Sequence, residues 1–292
     1  MVAVGPHCSK LSRQLVGGRE LRARPNRPAS HSCSRAFDVS GAVIITCRFL
    51  GFVDTLGTDH VVVRSQALAM NPHASFSLGD VVQITTRLGR VGTTSFETWI
   101  EVREVDRATL EPGRVAMLGI CVLVAVKNGR ASQLSPKARA LSNPTPFPMQ
   151  VAVALSRTLR KSVEPLVGAG GACLRVPVAP RYSDEDTNLH VNQAHYLRFV
   201  EDAFTTLRES APLAGAAGEV QRRAHEPMNA VIIEYAREAS VAAGPFELLL
   251  EPAAEPPATV DAYLVKDTTV YCRVRYFTAL PDLLAPVPLP KL

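Results

Sequence analysis

The residues best suited to chemistry in this chain lie between positions 182 and 204, in the stretch YSDEDTNLHVNQAHYLRFVEDAF. Polar side chains occupy alternate positions in its first half: Asp184, Asp186, Asn188, His190 and Asn192. From Ala194 onward, apolar residues recur at helical spacing, which predicts a helix that begins near Asn192. One polar side chain is enough to cap a helix, so the others need another explanation.

Side chains of these types beside a helix start are suited to acyl transfer. The unpaired N–H groups of a first helical turn can polarise a carbonyl group and stabilise the oxyanion that forms when it is attacked. Asp186 could act as a general base on water or as a nucleophile. His190 could transfer protons near neutral pH, and the amide of Asn188 could orient a water or a carbonyl oxygen. These residues predict hydrolysis of an activated acyl group.

A purely structural interpretation of the same residues is also open. Asp184 or Asp186 would form an Asx-turn and Asn192 would cap the helix. This interpretation leaves Asn188 and His190 without a role, so we favour the functional one.

The elements around this stretch predict an α+β fold. A strand candidate, LRVPVAPRYS, precedes the helix, and four more follow it: NAVIIEYAREAS, GPFELLLEP, ATVDAYLV and TTVYCRVRYF. One long helix followed by successive antiparallel strands is typical of a curved sheet wrapped around a helix.

The first half of the chain shows the same succession of strands. HVVVRSQALAM predicts one strand, and GDVVQITTRL with TTSFETWIEVREV predicts a long antiparallel pair in which Gly89 and Gly92 supply positive φ angles. RVAMLGICVLVAV predicts a buried strand that ends in the turn KNGR. The proline-rich stretch SPKARALSNPTPFPM predicts a linker, and residues 151–166 predict an amphipathic helix. We therefore predict two diverged copies of one fold.

The motif in the second half resembles the hotdog-fold thioesterases of the 4-hydroxybenzoyl-CoA thioesterase group. RYSDEDTNLHVNQAHYLRFVEDA is most similar to the D-x-N-x-H-V-N stretch of plant-type acyl-acyl-carrier-protein thioesterases. The resemblance implies that Asp186, Asn188 and His190 are catalytic. A further family glutamate, in the motif E-Y-x-R-E-C, corresponds to Glu238 in EYAREA. Ala239 replaces the family's cysteine, which leaves a carboxylate mechanism but not one that needs this thiol.

The first half resembles the hotdog of acyl-CoA hydrolases. SLGDVVQITTRLGRVGTTSFETWIEV is similar to their strand hairpin, with its G-D-x-V and V-G-x-T-S elements. The segment that should contain the central helix has only Asp38, Asp54 and Asp59 as acidic residues. We therefore expect two hotdog domains in tandem, each a curved antiparallel sheet around a central helix, and we expect the first helix to be degenerate.

The resemblance also implies a substrate class and its contacts. The expected reaction is hydrolysis of a fatty acyl thioester, either acyl-CoA or acyl-acyl-carrier-protein, with no metal or bound cofactor. The acyl chain would lie against the apolar face of the helix near Tyr196 and Phe199, Asn192 would contact the substrate, and Arg181 and Arg237 would contact phosphates. Two alternatives remain open: a catalytically silent acyl-thioester binding or scaffold protein, and a hotdog dehydratase that acts on hydroxyacyl thioesters.

The predicted domain boundaries follow from these elements. We predict a first hotdog domain at 37–140, which is degenerate, and a second at 173–279, which is catalytic. A linker at 141–172, which contains a helix, would join them. The leader is 1–36 and the tail is 280–292. Because hotdogs generally pair, we expect an intramolecular pseudo-dimer with one continuous sheet, and further homodimerisation remains open.

Charge and cysteine usage bear on partners and compartment. The net charge of +5 arises in the leader, which is rich in Arg and poor in acidic residues, so the rest of the chain is near neutral. This argues against a broad basic face for nucleic acid.

The leader suits a mitochondrial or plastid transit peptide or, equally, a disordered tail, in which case the protein would be cytoplasmic. The six scattered cysteines predict reduced thiols. The longest apolar run, 115–126, is too short and β-branched to span a membrane.

Overall fold

A computed structural model of the chain describes residues 10–11, 60–71, 73–74, 80–142, 173–186, 189–253, 258–267 and 269–278. The predicted helix at 151–166, the leader other than residues 10–11, the segment 37–59 and Asn188 lie outside these residues. The chain divides into two compact units. The first comprises residues 1–63 and 68–147, and the second comprises residues 64–67 and 148–292.

The first unit is built on an antiparallel sheet. Its strands are β1 (Lys10–Leu11), β2 (His60–Met70, of which residues 64–67 belong to the second unit), β3 (Val82–Val91), β4 (Ser95–Val105), β5 (Pro112–Lys127) and β6 (Arg130–Ala131). They lie in the order β1-β3-β4-β5-β2, with β6 paired to β5. The strands predicted at 60–70, 79–88, 93–105 and 114–126 correspond to β2, β3, β4 and β5, and are therefore confirmed.

Two turns of the first unit show how glycine is used. The predicted turn after β5 is confirmed, with Asn128 and Gly129 at φ 53° and 71°, the left-handed angles that an Asn-Gly hairpin turn requires. The prediction for Gly89 and Gly92 was wrong, because neither has a positive φ. Gly89 lies within β3, where a Cβ would overlap the indole of Trp99 on β4. Close packing, and not turn geometry, requires glycine there.

A short helix lies within the stretch that was predicted to be a linker. The sequence PKARA forms α1 (Pro136–Ala140), and Ser135 caps it by accepting a hydrogen bond from Ala138 N–H at 3.0 Å. Proline at the first helical position fits because its missing N–H would have had no partner in the helix. Ser142 follows the helix, and its hydroxyl accepts a hydrogen bond from Val91 N–H at 3.1 Å. The helix is thereby fixed beside the tip of the β3–β4 hairpin.

In its described residues, the second unit combines a five-stranded antiparallel sheet with two α-helices. Its strands are β7 (Leu174–Val178), β8 (Ala230–Tyr235), β9 (Phe246–Pro252), β10 (Ala258–Lys266) and β11 (Thr269–Phe277), in the order β8-β11-β10-β9-β7. The predicted long helix is α2 (Gln193–Glu209). A second helix, α3 (Gly215–Ala224), was not predicted. Two hydrogen bonds link it to α2: the amide of the buried Gln221 donates to Leu207 O, and Arg208 Nε donates to Ala224 O.

The core of this unit forms between α2 and one face of the sheet. Leu197, Val200 and Phe204 are almost fully buried along one side of α2. The Phe204 ring lies 5.2 Å from the ring of Tyr276 on β11. Each such side chain stabilises the fold by about 1.5–3 kcal/mol, so this apolar face holds the start of α2 in a fixed position.

The opposite face of the sheet carries paired charges. Arg275 on β11 lies directly across from Asp261 on β10 and donates two hydrogen bonds to it, at 2.7 and 2.8 Å. Arg273 donates a third, at 3.2 Å. A buried pair of this kind adds little net stability. It does penalise a shift of register, because a slip of one residue would move these charges into the apolar face.

Candidate active site

Asp186, Leu189 and His190 belong to a tight turn, called here the acidic turn. Asp186 N–H donates to His190 O at 2.8 Å, and Leu189 N–H donates to Asp186 O at 3.1 Å. Leu189 has a φ of 60°, and on either side of the turn Glu185 and Val191 form an antiparallel bridge. A hairpin this short needs a left-handed residue near its end, and here that residue is leucine. The turn places Asp186 and His190 opposite each other.

The acidic turn leads directly into the N-terminus of α2. Asn192 is the cap: its Oδ1 accepts from Ala194 N–H at 3.1 Å and its backbone O from His195 N–H at 2.8 Å. Among the described residues, Gln193 N–H has no acceptor, so it is available at the positive end of the helix. Because Asn192 caps α2, the half-buried Asp186 is not needed for that role.

Asp184 anchors both the turn and the helix. Its carboxylate is 1% exposed and accepts hydrogen bonds from Arg181 N–H at 2.9 Å and Arg198 Nη2 at 2.6 Å. Its backbone oxygen accepts from Asn192 N–H at 2.7 Å. Burial raises the pKa of Asp184, but the two hydrogen bonds and the charge of Arg198 outweigh it, so the pKa lies below its usual range. Asp184 is therefore a structural anion, separate in role from Asp186.

Glu238 meets the acidic turn from a distant part of the sequence. It follows β8, and its Oε2 lies 3.5 Å from His190 Nδ1. The side chains are 39% exposed for His190 and 59% exposed for Glu238, so both are accessible to a ligand. A carboxylate at this position can orient the imidazole.

Three hydrogen bonds hold the loop of Glu238 against Glu185, Val191 and Tyr196, which lie on either side of the acidic turn and on α2. Val191 N–H donates to Ala239 O at 2.7 Å, Ala239 N–H donates to Tyr196 Oη at 3.0 Å, and Val241 N–H donates to Glu185 Oε1 at 2.6 Å. The role of Glu185 was not predicted from the sequence. The only signal for it was an excess of acidic residues that helix capping could not explain.

Tyr196 lies below this loop on the first turns of α2. It is 4% exposed, and its ring makes an edge contact of 5.3 Å with Tyr235. Burial raises the pKa of Tyr196, and the nearby charges of Glu238 and Asp186 add to the effect, so the phenol is neutral. Its hydroxyl supports Ala239, and a purely apolar contact with an acyl chain is therefore not its whole function.

The remaining predicted residues surround this group. Phe199 is buried at 7% exposure on the core side of α2. Arg181 and Arg237 are exposed. Tyr182 and Leu189 are also exposed, at 83% and 70%, so one large apolar side chain precedes the turn and another belongs to it. Asn188 lies outside the described residues. The structure thus brings Asp186, His190 and Glu238 together at the start of α2.

Solved structures with the same architecture span almost the whole chain. The 12:0-ACP thioesterase from Umbellularia californica matches with a TM-score of 0.60 at 16% identity, covering 93% of this chain and 96% of that one. A Lactobacillus plantarum protein described as an oleoyl thioesterase matches with a TM-score of 0.59 at 17% identity, covering 88% and 92%. An acyl-ACP thioesterase from Bacteroides thetaiotaomicron matches with a TM-score of 0.54 at 13% identity, covering 93% and 96%.

These likenesses establish the fold. No protein-family model and no curated protein sequence matches the chain. The chain has the tandem hotdog fold of these thioesterases, as the sequence predicted. In its described residues, no helix is both long and apolar enough to cross a membrane.

Proposed function

We propose that this chain is a thioesterase that hydrolyses a fatty acyl thioester of CoA or of acyl carrier protein. The observation that carries the proposal is the meeting of Glu238 with His190 across 3.5 Å at the start of α2. The loop of Glu238 is held there by three hydrogen bonds that it makes with Glu185, Val191 and Tyr196. The purely structural interpretation of the motif requires no such meeting.

The reaction can be written from the groups in place. A water attacks the thioester carbonyl and gives a proton to Asp186, and the oxyanion accepts a hydrogen bond from Gln193 N–H. The C–S bond then breaks, and the thiolate receives a proton from His190, which Glu238 orients. Asp186 could instead attack directly, giving an anhydride that water then hydrolyses. Both routes yield a free acid and a thiol.

The proposal includes the predicted substrate contacts. Exposed Arg181 and Arg237 would bind the phosphates of the substrate, while Arg198 is engaged by Asp184. Asn192, Tyr196 and Phe199 would line the path of the acyl group. The pairing of the two hotdogs, a function in lipid metabolism and mitochondrial targeting by the leader remain predictions from the sequence.

The test is thiol release from acyl-CoA and acyl-acyl-carrier-protein substrates of several chain lengths. We expect hydrolysis of at least one series by the full chain. Binding of a non-hydrolysable acyl-CoA analogue without any turnover would instead identify an acyl-thioester binding protein.

A further inference from the structure

Charge is distributed unevenly within the first unit. Residues 87–98 and 121–142 contain a single acidic residue, Glu97, and six basic ones. The six are Arg87, Arg90, Lys127, Arg130, Lys137 and Arg139. All six are exposed, and none forms an ion pair with a described residue.

The fold gathers these cations at one end of the sheet, called here the basic end. In the β4–β5 register Ser95 is opposite Val124, so the tip of the β3–β4 hairpin lies beside the end of β5. The β5–β6 turn extends from that end, and α1 lies beside the same hairpin tip through the Ser142–Val91 hydrogen bond. Segments about fifty residues apart in sequence thus share one surface.

The opposite end of the same strands is organised differently. Arg103 pairs with Glu101 at 2.5 Å, and Arg107 pairs with Asp80 at 2.8 Å. Arg114 lies 3.9 Å from Glu104. Every arginine from 99 to 118 therefore has a carboxylate partner. The near-neutral charge of residues 37–292 argued against a broad basic surface, but it concealed this local separation of charge.

One pair at the basic end is unfavourable for folding. Lys127 and Arg130 face each other across the β5–β6 hairpin. Like charges directly opposite each other on paired strands are destabilising, and one carboxylate at either position would relieve this. A surface that keeps mutual repulsion produces a positive potential that attracts an anionic partner.

We propose that the basic end docks an acidic protein, namely the carrier protein that delivers the acyl thioester. This inference rests on the proposed function and selects the carrier protein over CoA as the bearer of the acyl group. The six cations are exposed and spread over two strands, a turn and a helix, whereas a small nucleotide anion is usually held in a concave site. Exposed charges of this kind accelerate and orient protein association. The only aromatic residue of the two basic segments, Phe96, is buried, so no base-stacking surface for nucleic acid accompanies the charge.

The experiment reverses the charge of the facing pair. Lys127→Glu with Arg130→Glu replaces one like-charge pair by another, so the cross-strand repulsion is retained. The matched control is Arg107→Glu with Arg114→Glu at the opposite end. It makes the same change in net charge. It loses two weak surface ion pairs and the hydrogen bond that Arg114 donates to His73 O at 2.6 Å. Binding of acyl carrier protein to each full-length protein is measured by fluorescence anisotropy at low and moderate salt, and hydrolysis is measured on acyl-carrier-protein, acyl-CoA and acyl-N-acetylcysteamine thioesters.

We expect the Lys127/Arg130 variant to bind carrier protein about tenfold or more weakly at low salt and to lose most of the salt dependence. Its hydrolysis of the N-acetylcysteamine thioester should be unchanged, and the control should resemble the wild type. Equal binding by both variants would overturn the inference. The inference would also be overturned if the Lys127/Arg130 variant lost as much activity on acyl-CoA as on acyl-carrier-protein. Displacement of the carrier protein by a single-stranded oligonucleotide would overturn it too. Charge-dependent binding without hydrolysis of any thioester would refute the proposed function but retain the docking surface. Hydrolysis without charge-dependent binding would support the proposed function but refute the docking surface.

Discussion

Two tight turns in this molecule solve the same backbone problem with different residues. The hairpin turn 127–130 reverses the chain with Asn128 and Gly129 at positive φ, while the acidic turn has Leu189 at φ 60°. A left-handed conformation costs a leucine roughly 1–2 kcal/mol that glycine does not incur. At 70% exposure, Leu189 regains little of this by burial. The hairpin turn is built for folding, whereas strain retained beside Asp186 and His190 is typical of functional sites.

Substitution of Asp186 should give the largest contrast between the turns. Asp186→Asn removes a general base or nucleophile but keeps its size, so we expect thiol release to fall by about 10³-fold with an unchanged melting temperature. Asn128→Asp makes the reverse exchange at the hairpin turn and should leave the rate unaffected. Full activity of Asp186→Asn would exclude this residue from catalysis.

The contact between the acidic turn and Glu238 should give the next largest effect. His190→Ala and Glu238→Gln are each expected to reduce kcat by about 10²-fold. Because the two side chains act across one 3.5 Å contact, the double variant should lose much less than the product of the single losses. Steady-state kinetics of the three variants measure this coupling, and strictly multiplicative losses would show that the two residues act independently.

Substitution of Asp184, which anchors the acidic turn, should change the stability of the protein rather than its catalytic rate. Asp184→Asn removes the anion that holds Arg198 and should lower the free energy of unfolding by about 2 kcal/mol at neutral pH. Because the pKa of Asp184 is lowered in the folded state, its contribution is present above the ordinary value of about 4 and is lost as the pH falls through the folded pKa. Urea unfolding at pH 7 and pH 3 should therefore show the difference between wild type and variant shrinking in acid. A difference that does not change with pH would mean that the charge is not what stabilises the turn.

The smallest effects are expected from substitutions of Gly129 and Leu189, two of the residues with positive φ. Gly129→Ala should destabilise the chain by about 1 kcal/mol through the backbone alone, because an added Cβ meets no atom within 4 Å. Leu189→Gly should have the opposite sign, a gain of up to about 1 kcal/mol, accompanied by slower turnover. Chemical denaturation and the thiol assay measure both. A Leu189→Gly protein with unaltered kinetics would show that the strain serves no functional purpose.

Much of the fold could be predicted because its signals are local. Alternation of apolar residues identified the strands from His60 to Lys127 and from Leu174 to Phe277, and the Asn-Gly pair identified the hairpin turn. The apolar spacing of α2 and its cap at Asn192 were equally readable. The helix α3 was not predicted, because two of its ten residues are glycines and its packing depends on Gln221.

The sequence by itself determined the motif from Asp184 to Asn192, the strand order along the chain and the resemblance to hotdog thioesterases. Only the tertiary structure placed Glu238 beside His190, separated the roles of Asp184 and Asp186, and required glycine at position 89 because of Trp99. It alone gathered the six cations of the basic end. The physical reason is the same in each case. Periodicity and turn chemistry act between neighbours in sequence, whereas ion pairs, close packing and surface potential depend on groups that become neighbours only when strand register and loop hydrogen bonds fix them in space.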